Sequence, residues 1–177
     1  MYSSLAAVTQ QAEAELDVRI IVILGSADTF TAGNDLQEFF LAPETDADRP
    51  VYRFKRALSG STKIVVAGVS GLAIGIGTTL LMHCDLVVAG KGARLSMPFV
   101  DLGLFPEFAS SLLFPRLVGR QIADKHLLLG DLTIIAPFGL DDLFSMRLAP
   151  NLAGPTNGFE RTAASLRARW PEINVDP

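Results

Sequence analysis

Few residues in this chain could do chemistry, and one sits in an unusual place. Glu107 lies inside "LGLFPEFASS" (Leu102–Ser111), with Phe105 and Phe108 flanking Pro106 and the carboxylate. Glutamate is seldom found among apolar side chains unless it is paired or used. Two readings are open. Glu107 is a general base strengthened by desolvation from Phe105 and Phe108, or it is a solvated carboxylate near the N-terminus of a helix in "FASSLLF".

The other reactive types are sparse. His83 and His126 are far apart in sequence, which gives little support to a histidine metal site or a Ser/His/Asp triad. His83-Cys84 adjoins a buried strand, and core packing is the favoured reading. A single cysteine, Cys84, excludes an internal disulfide framework and a cysteine zinc site, and it fits a reducing cytoplasmic setting. The chain contains no GxGxxG, GxxxxGK[ST] or GxSxG, and "GLAIGIG" has only part of a dinucleotide loop's spacing.

Two glycine-rich turns complete the inventory: "TAGNDL" and "SGLAIGIG", each following an apolar run. A turn that opens a helix presents amides with no internal acceptor. Two such turns at neighbouring strand ends could aim two N–H groups at one oxygen, which is an oxyanion hole built from backbone. Glycines also simply permit tight turns and close packing. Spacing alone leaves both possibilities standing.

These groups need elements to hold them. Tyr2 to Leu16 has helical spacing, with Leu5, Val8, Ala12 and Leu16 on one face. "VRIIVIL" (Val18–Leu24) and "KIVVAGV" (Lys63–Val69) read as buried parallel strands. "GSADTFTAG" reads as a loop, and "NDLQEFF" as a short helix capped by Asn34 or Asp35. "VYRFKRAL" is predicted helical, and "SGLAIG" turns the chain into an apolar helix, "IGTTLLMH". "DLVVAG" is a third strand and "ARLSM" a fourth. Residues 107–118 and 120–129 are two predicted helices broken near Pro115 and Gly119, with Gly130 just past the second. This alternation implies an α/β fold with a mainly parallel sheet. No internal repeat is visible, and the pattern weakens after Gly130.

Bulk properties agree. The 177 residues suit one domain, 49% are hydrophobic, and the net charge is −4. No basic cluster marks a nucleic-acid binder. Ile64 to Met82 carries no charge. Its β-branched start and repeated glycines favour two buried elements over a membrane helix. The N-terminus has neither the basic start nor the apolar stretch of a signal peptide.

The stretches "VRIIVILGSADTFTAGNDLQEFF" and "KIVVAGVSGLAIGIGTTLLMHCDLVVAGKGARLSMPFVDLGLFPE" resemble the crotonase (enoyl-CoA hydratase/isomerase) superfamily, in order and spacing, over about residues 1–130. The resemblance implies an α/β crotonase-like core: a spiral of ββα turns with mainly parallel sheets and flanking helices. It implies a core over 1–130 that lacks the usual N-terminal hairpin, followed by a divergent segment, 131–177, that is not a separate domain. It also implies an acyl-CoA thioester as substrate, with no further cofactor and no metal, and a homo-oligomer, a trimer or dimer of trimers.

Carried over position by position, the oxyanion amides fall on Asn34 and Ile76. Ala32, Asp35, Leu36 and Gly75 fall in the substrate-binding turns. The two hydratase glutamates correspond to Thr79 and Phe99, which cannot move a proton. The single glutamate of the Δ3,Δ2-enoyl-CoA isomerase branch corresponds to Glu107, and the Gly75-Ile76 pair resembles that branch. Phe108 departs from the pattern, because glycine is common there. Lys63, Arg53 and Lys55 are candidates for the CoA phosphates, and Phe39 and Phe40 for either the acyl tunnel or ordinary helix core. The resemblance thus implies an isomerase moving a C3 double bond to C2. The alternatives are a catalytically silent structural or regulatory protein of this fold, and a hydratase with a non-standard acid/base.

Overall fold

A computed structural model describes residues 1–26, 28–35, 48–90 and 92–130, and the backbone of Thr133–Ile134. The chain opens with α1 (Tyr2–Ala14) and runs into β1 (Ile20–Leu24) and β2 (Thr29–Thr31). Helix α2 (Pro50–Ser59) leads to β3 (Ile64–Val69) and β4 (Leu72–Ile74). A short α3 (Ile76–Thr79) continues as a 3-10 turn (Leu80–His83), then β5 (Leu86–Ala89) and β6 (Arg94–Ser96) follow. Helices α4 (Ser110–Val118) and α5 (Arg120–Leu129) precede β7 (Thr133–Ile134).

Strands β1 to β6 go to alternate sheets. One sheet has the order β1-β3-β5 and the other β2-β4-β6-β7. All pairings are parallel except β6 with β7. Each β-β step therefore deals one strand to each sheet, and helix carries the chain to the next step. This is the expected ββα spiral of the α/β class. The sequence shows no repeat, but the fold repeats its ββ unit three times, because pairing is made by backbone and does not require similar side chains.

The β3–β4 corner shows how tightly the units stack. Gly71 has φ +64, and a Cβ there would lie 1.8 Å from Asp28 O. The Leu72 amide donates to that same carbonyl at 3.3 Å. Only glycine suits a left-handed position under another backbone.

The principal core joins Phe54 and Leu58 of α2, Val65, Ala67 and Val69 of β3, Ile76 of α3, and Leu80-Leu81. Each such large side chain contributes about 1.5–3 kcal/mol on burial. A second core links Met97 and Phe99 to Phe114, Val118, Ala123 and Leu127 of the last two helices. Among the described residues, no helix is long and apolar enough to cross a membrane.

Several expectations need correction. "GSADTFTAG" and "SGLAIG" each contain a three-residue strand, β2 and β4. The face α1 buries is Ala6 and Thr9 with Tyr2 and Leu5, whereas Val8 and Leu16 are exposed. Packing on α2 decides this, since Tyr2 meets Phe54 at a 6.0 Å ring separation. Strand β1 is half-buried, not fully buried. Residues 107–109 precede α4 and are not helical, and Pro115 lies inside α4 without ending it. Gly130 does take the left-handed helix-terminating conformation, φ +67. The predicted helix "NDLQEFF" and nearly all of 131–177 lie outside the described residues.

Candidate active site

The two glycine turns come together. After β2, Gly33 takes φ +92, and a Cβ there would stand 2.8 Å from Ile74 O and 4.0 Å from the Gly75 Cα. A Cβ on Gly77 would lie 2.5 Å from the Thr31 Cγ2. The parallel β2–β4 pairing thus lays "TAGN" directly on "IGIG". Asn34 directly follows Gly33, and Ile76 lies between Gly75 and Gly77.

The second turn is held hard. Gly75 donates to Ser96 O at 2.9 Å, and its own carbonyl accepts the Thr78 and Thr79 amides, each at 3.0 Å. The Thr78 hydroxyl lies 2.6 Å from Ala73 O and accepts the Ser96 amide at 3.2 Å. Ile76 is the first residue of α3, so its N–H belongs to the helical amides that have no internal acceptor. Its side chain is buried. Asn34 is half-buried, and Ala32 and Asp35 are exposed beside it. Leu36, Phe39 and Phe40 lie outside the described residues.

Glu107 sits in a loop, not in a greasy pocket of its own. Phe105 is 92% exposed and shields nothing, which corrects the first expectation. Phe108 does pack against the principal core. The Glu107 carboxylate accepts a hydrogen bond from the Lys55 ammonium of α2, an ion pair with side chains only 12% (Lys55) and 20% (Glu107) exposed. The ammonium lies 5.2 Å from the Tyr52 ring centre and 5.8 Å from that of Phe108. Lys55, a candidate for the CoA phosphates, is here engaged by Glu107. Lys63 reaches the Glu15 carbonyl at 3.1 Å, while Arg53 is exposed.

The backbone after Glu107 is unusual. Phe108 and Ala109 are successive left-handed residues, φ +53 and +55. For non-glycine residues this costs roughly 1–2 kcal/mol each. Glycine would take this conformation without that cost. The loop is closed by Ser110, whose hydroxyl and amide donate to Glu107 O at 2.7 and 3.0 Å. His83 stacks on the Phe108 ring, 3.8 Å between centres at 20°, and its Nε2 is 2.9 Å from Phe108 O. Burial pushes the imidazole below its ordinary value, against the opposing pull of that hydrogen bond.

Tyr2 of α1 adds a further group. Its hydroxyl is buried with no hydrogen-bond partner among the described residues. Burial first, and the charge of Glu107 second, hold the phenol protonated well above its usual range. The positions matching the hydratase glutamates, Thr79 and Phe99, are both buried, with Phe99 in the second core. Among the described residues no group of three or more His, Cys, Asp or Glu could hold a metal ion. Neither the pairing of Lys55 with Glu107, nor the stacking of His83 on Phe108, nor the influence of Glu107 on Tyr2 is legible in the sequence. Lys55, His83 and Tyr2 come from three elements remote in sequence, and the only local hint was His83 next to a strand.

Residues 1–136 match the enoyl-CoA hydratase/isomerase family, and residues 117–175, mostly outside the described residues, match a nucleotidyltransferase family. A 1,2-epoxyphenylacetyl-CoA isomerase of Escherichia coli is 34% identical over 138 residues, 74% of this chain and 53% of the relative. A 2,3-dehydroadipyl-CoA hydratase of the same organism is 34% identical over 125 residues, 69% of this chain and 48% of the relative. The chain thus spans about half the length of these curated relatives. Among solved structures, OdaA of Pseudomonas aeruginosa superposes with a TM-score of 0.73 at 40% identity, over 97% of this chain and 75% of that one.

Proposed function

The chain belongs to the enoyl-CoA hydratase/isomerase family, and on that premise we propose that it acts on an acyl-CoA thioester, moving a C3 double bond to C2. Glu107 is the proton shuttle. As a carboxylate it takes a proton from C2, and the electron pair of that C–H bond moves into a dienolate with its charge on the thioester oxygen. The same carboxyl then returns the proton at C4, which fixes the double bond at C2. The N–H groups of Asn34 and Ile76 receive the oxygen, each donor of this kind being worth about 3–4 kcal/mol. Ala32, Asp35, Leu36 and Gly75 form the binding turns around it. Coenzyme A enters as part of the substrate, and the proposed assembly is a homo-oligomer.

The observation that supports this reading is the close approach of the two turns, Gly33 against Ile74 O, one residue before Asn34 and two before Ile76. The buried, non-acidic Thr79 and Phe99 weigh against water addition by a glutamate pair. One observation favours a silent protein instead: Lys55 already engages Glu107.

A spectroscopic assay on 3-enoyl-CoA esters tests the proposal. Wild-type isomerisation that falls by 100-fold or more in Glu107→Gln supports it. Ester binding without turnover supports the silent reading, and hydration of 2-enoyl-CoA overturns the assignment of Thr79 and Phe99. A monomeric solution mass counts against the assembly.

A further inference from the structure

We propose that His83 is a positioning residue for Glu107, acting through Phe108. This rests on the reading of Glu107 as the proton shuttle. Two left-handed non-glycine residues directly follow Glu107, and such a backbone persists only when its surroundings over-determine it. Ser110 fastens the Glu107 carbonyl and Lys55 fastens its carboxylate. Neither bonds to the Phe108 backbone. Among the described residues His83 holds both parts of Phe108, its ring by stacking and its carbonyl by a hydrogen bond from Nε2–H.

That bond fixes the tautomer. The carbonyl only accepts, so Nε2 carries the proton. His83 closes the helical run that begins at Ile76, so one rigid segment carries an oxyanion donor at its start and the clamp on the glutamate loop at its end. That segment therefore joins the proposed donor to the loop that carries the proposed base. With glycine at position 108 the backbone needs less of such a clamp, because glycine takes φ near +53 without penalty and only Ala109 stays strained. Phe108 therefore creates the requirement that His83 meets.

The test compares wild type, His83→Ala, Phe108→Gly and the double variant. Hydrogen exchange at the Ser110 amide, which closes the loop onto Glu107 O, reads the clamp without reference to catalysis. We expect exchange at least tenfold faster in His83→Ala and a much smaller effect of His83→Ala when Phe108→Gly is present. In the isomerase assay kcat falls about 10- to 100-fold in His83→Ala with KM little changed, since misplacement of a base by about 1 Å has effects of that size. Unchanged Ser110 exchange in His83→Ala overturns the proposal, as does an equal effect of His83→Ala in both backgrounds. If His83→Ala does not fold, His83→Phe, which keeps the stack and loses the donor, is judged by the same exchange criterion. Should wild type prove inactive on 3-enoyl-CoA, or Glu107→Gln fully active, the isomerase reading fails, while the exchange data still decide the clamp.

Discussion

Lys55 of α2 and Glu107 of the loop before α4 form an ion pair across 52 positions of sequence, in a place where both side chains are largely shielded from water. The pair ties the first helical layer to the proposed catalytic loop, and several outcomes depend on it.

Lys55→Met removes the cation and leaves the carboxylate partly buried without its partner. Breaking a fully buried pair costs about 3–5 kcal/mol. Partial exposure reduces this to roughly 1–3 kcal/mol. Urea denaturation should show the loss, and much of it should disappear in a Glu107→Gln background. Additive costs in the double variant would show that the two groups do not interact.

Gly33 and Gly75 separate two effects of glycine. Gly33→Ala meets both a φ of +92 and a carbonyl 2.8 Å from the new Cβ. It should lower Tm by several degrees and turnover at least tenfold, by pushing the two turns apart. Gly75→Ala has open space around it, and its strain comes from φ +57 with ψ −117, a backbone conformation outside the left-handed helical region, a cost of roughly 1–3 kcal/mol. Thermal melts and assays of the two variants should rank them in that order.

His83 and Cys84 set opposite pH limits. Burial lowers the folded pKa of His83 below its ordinary 6.5, so under that pH the unfolded chain binds more protons than the fold. Its stabilisation is complete above about 6.5 and is lost as pH falls through the lowered folded value. Burial first, then Asp85, raises the Cys84 thiol from 9.0 to about 12. That contribution is complete below 9.0 and fades as pH rises from 9.0 towards about 12. Melting curves across pH should show both limbs, with His83→Phe flattening the acid one and Cys84→Ala the alkaline one.

Glu13 fastens the end of α1 to the start of β3. It accepts hydrogen bonds from the Ser61 hydroxyl at 2.8 Å, the Thr62 amide at 3.1 Å and the Thr62 hydroxyl. The Thr62 and Ser61 hydroxyls hold its carboxyl below the ordinary range. Its contribution is therefore present above the ordinary carboxyl pKa and is lost as pH falls through the lowered one. Glu13→Gln should reduce the acid dependence of Tm and speed amide exchange in α1. An acid limb identical to wild type would remove Glu13 from this role.

What could be read from sequence followed physical range. β-branched runs such as "KIVVAGV" announced β3, because a strand buried on both faces needs only its own residues to say so. "TFT" and "LAI" announced nothing, since three residues become strands only through the partners they pair with. The apolar surroundings of Glu107 were half right: Phe108 packs inward while Phe105 points to solvent. Sequence adjacency cannot tell which side of a loop faces the core.

By itself the sequence determined the inventory of groups, the α/β class, the pair of glycine turns and the single carboxylate in a family-like position. Tertiary structure alone decided that the turns touch at Gly33 and Ile74. It also decided that Lys55 pairs with Glu107, that the charge of Glu107 is felt at Tyr2, and that His83 stacks on Phe108, which is held in a conformation suited to glycine. The first set depends on composition and on periodicity within a few residues. The second depends on how α1, α2 and the turn after α3 pack on one another, and no local stretch encodes which distant side chain will fill the space beside it.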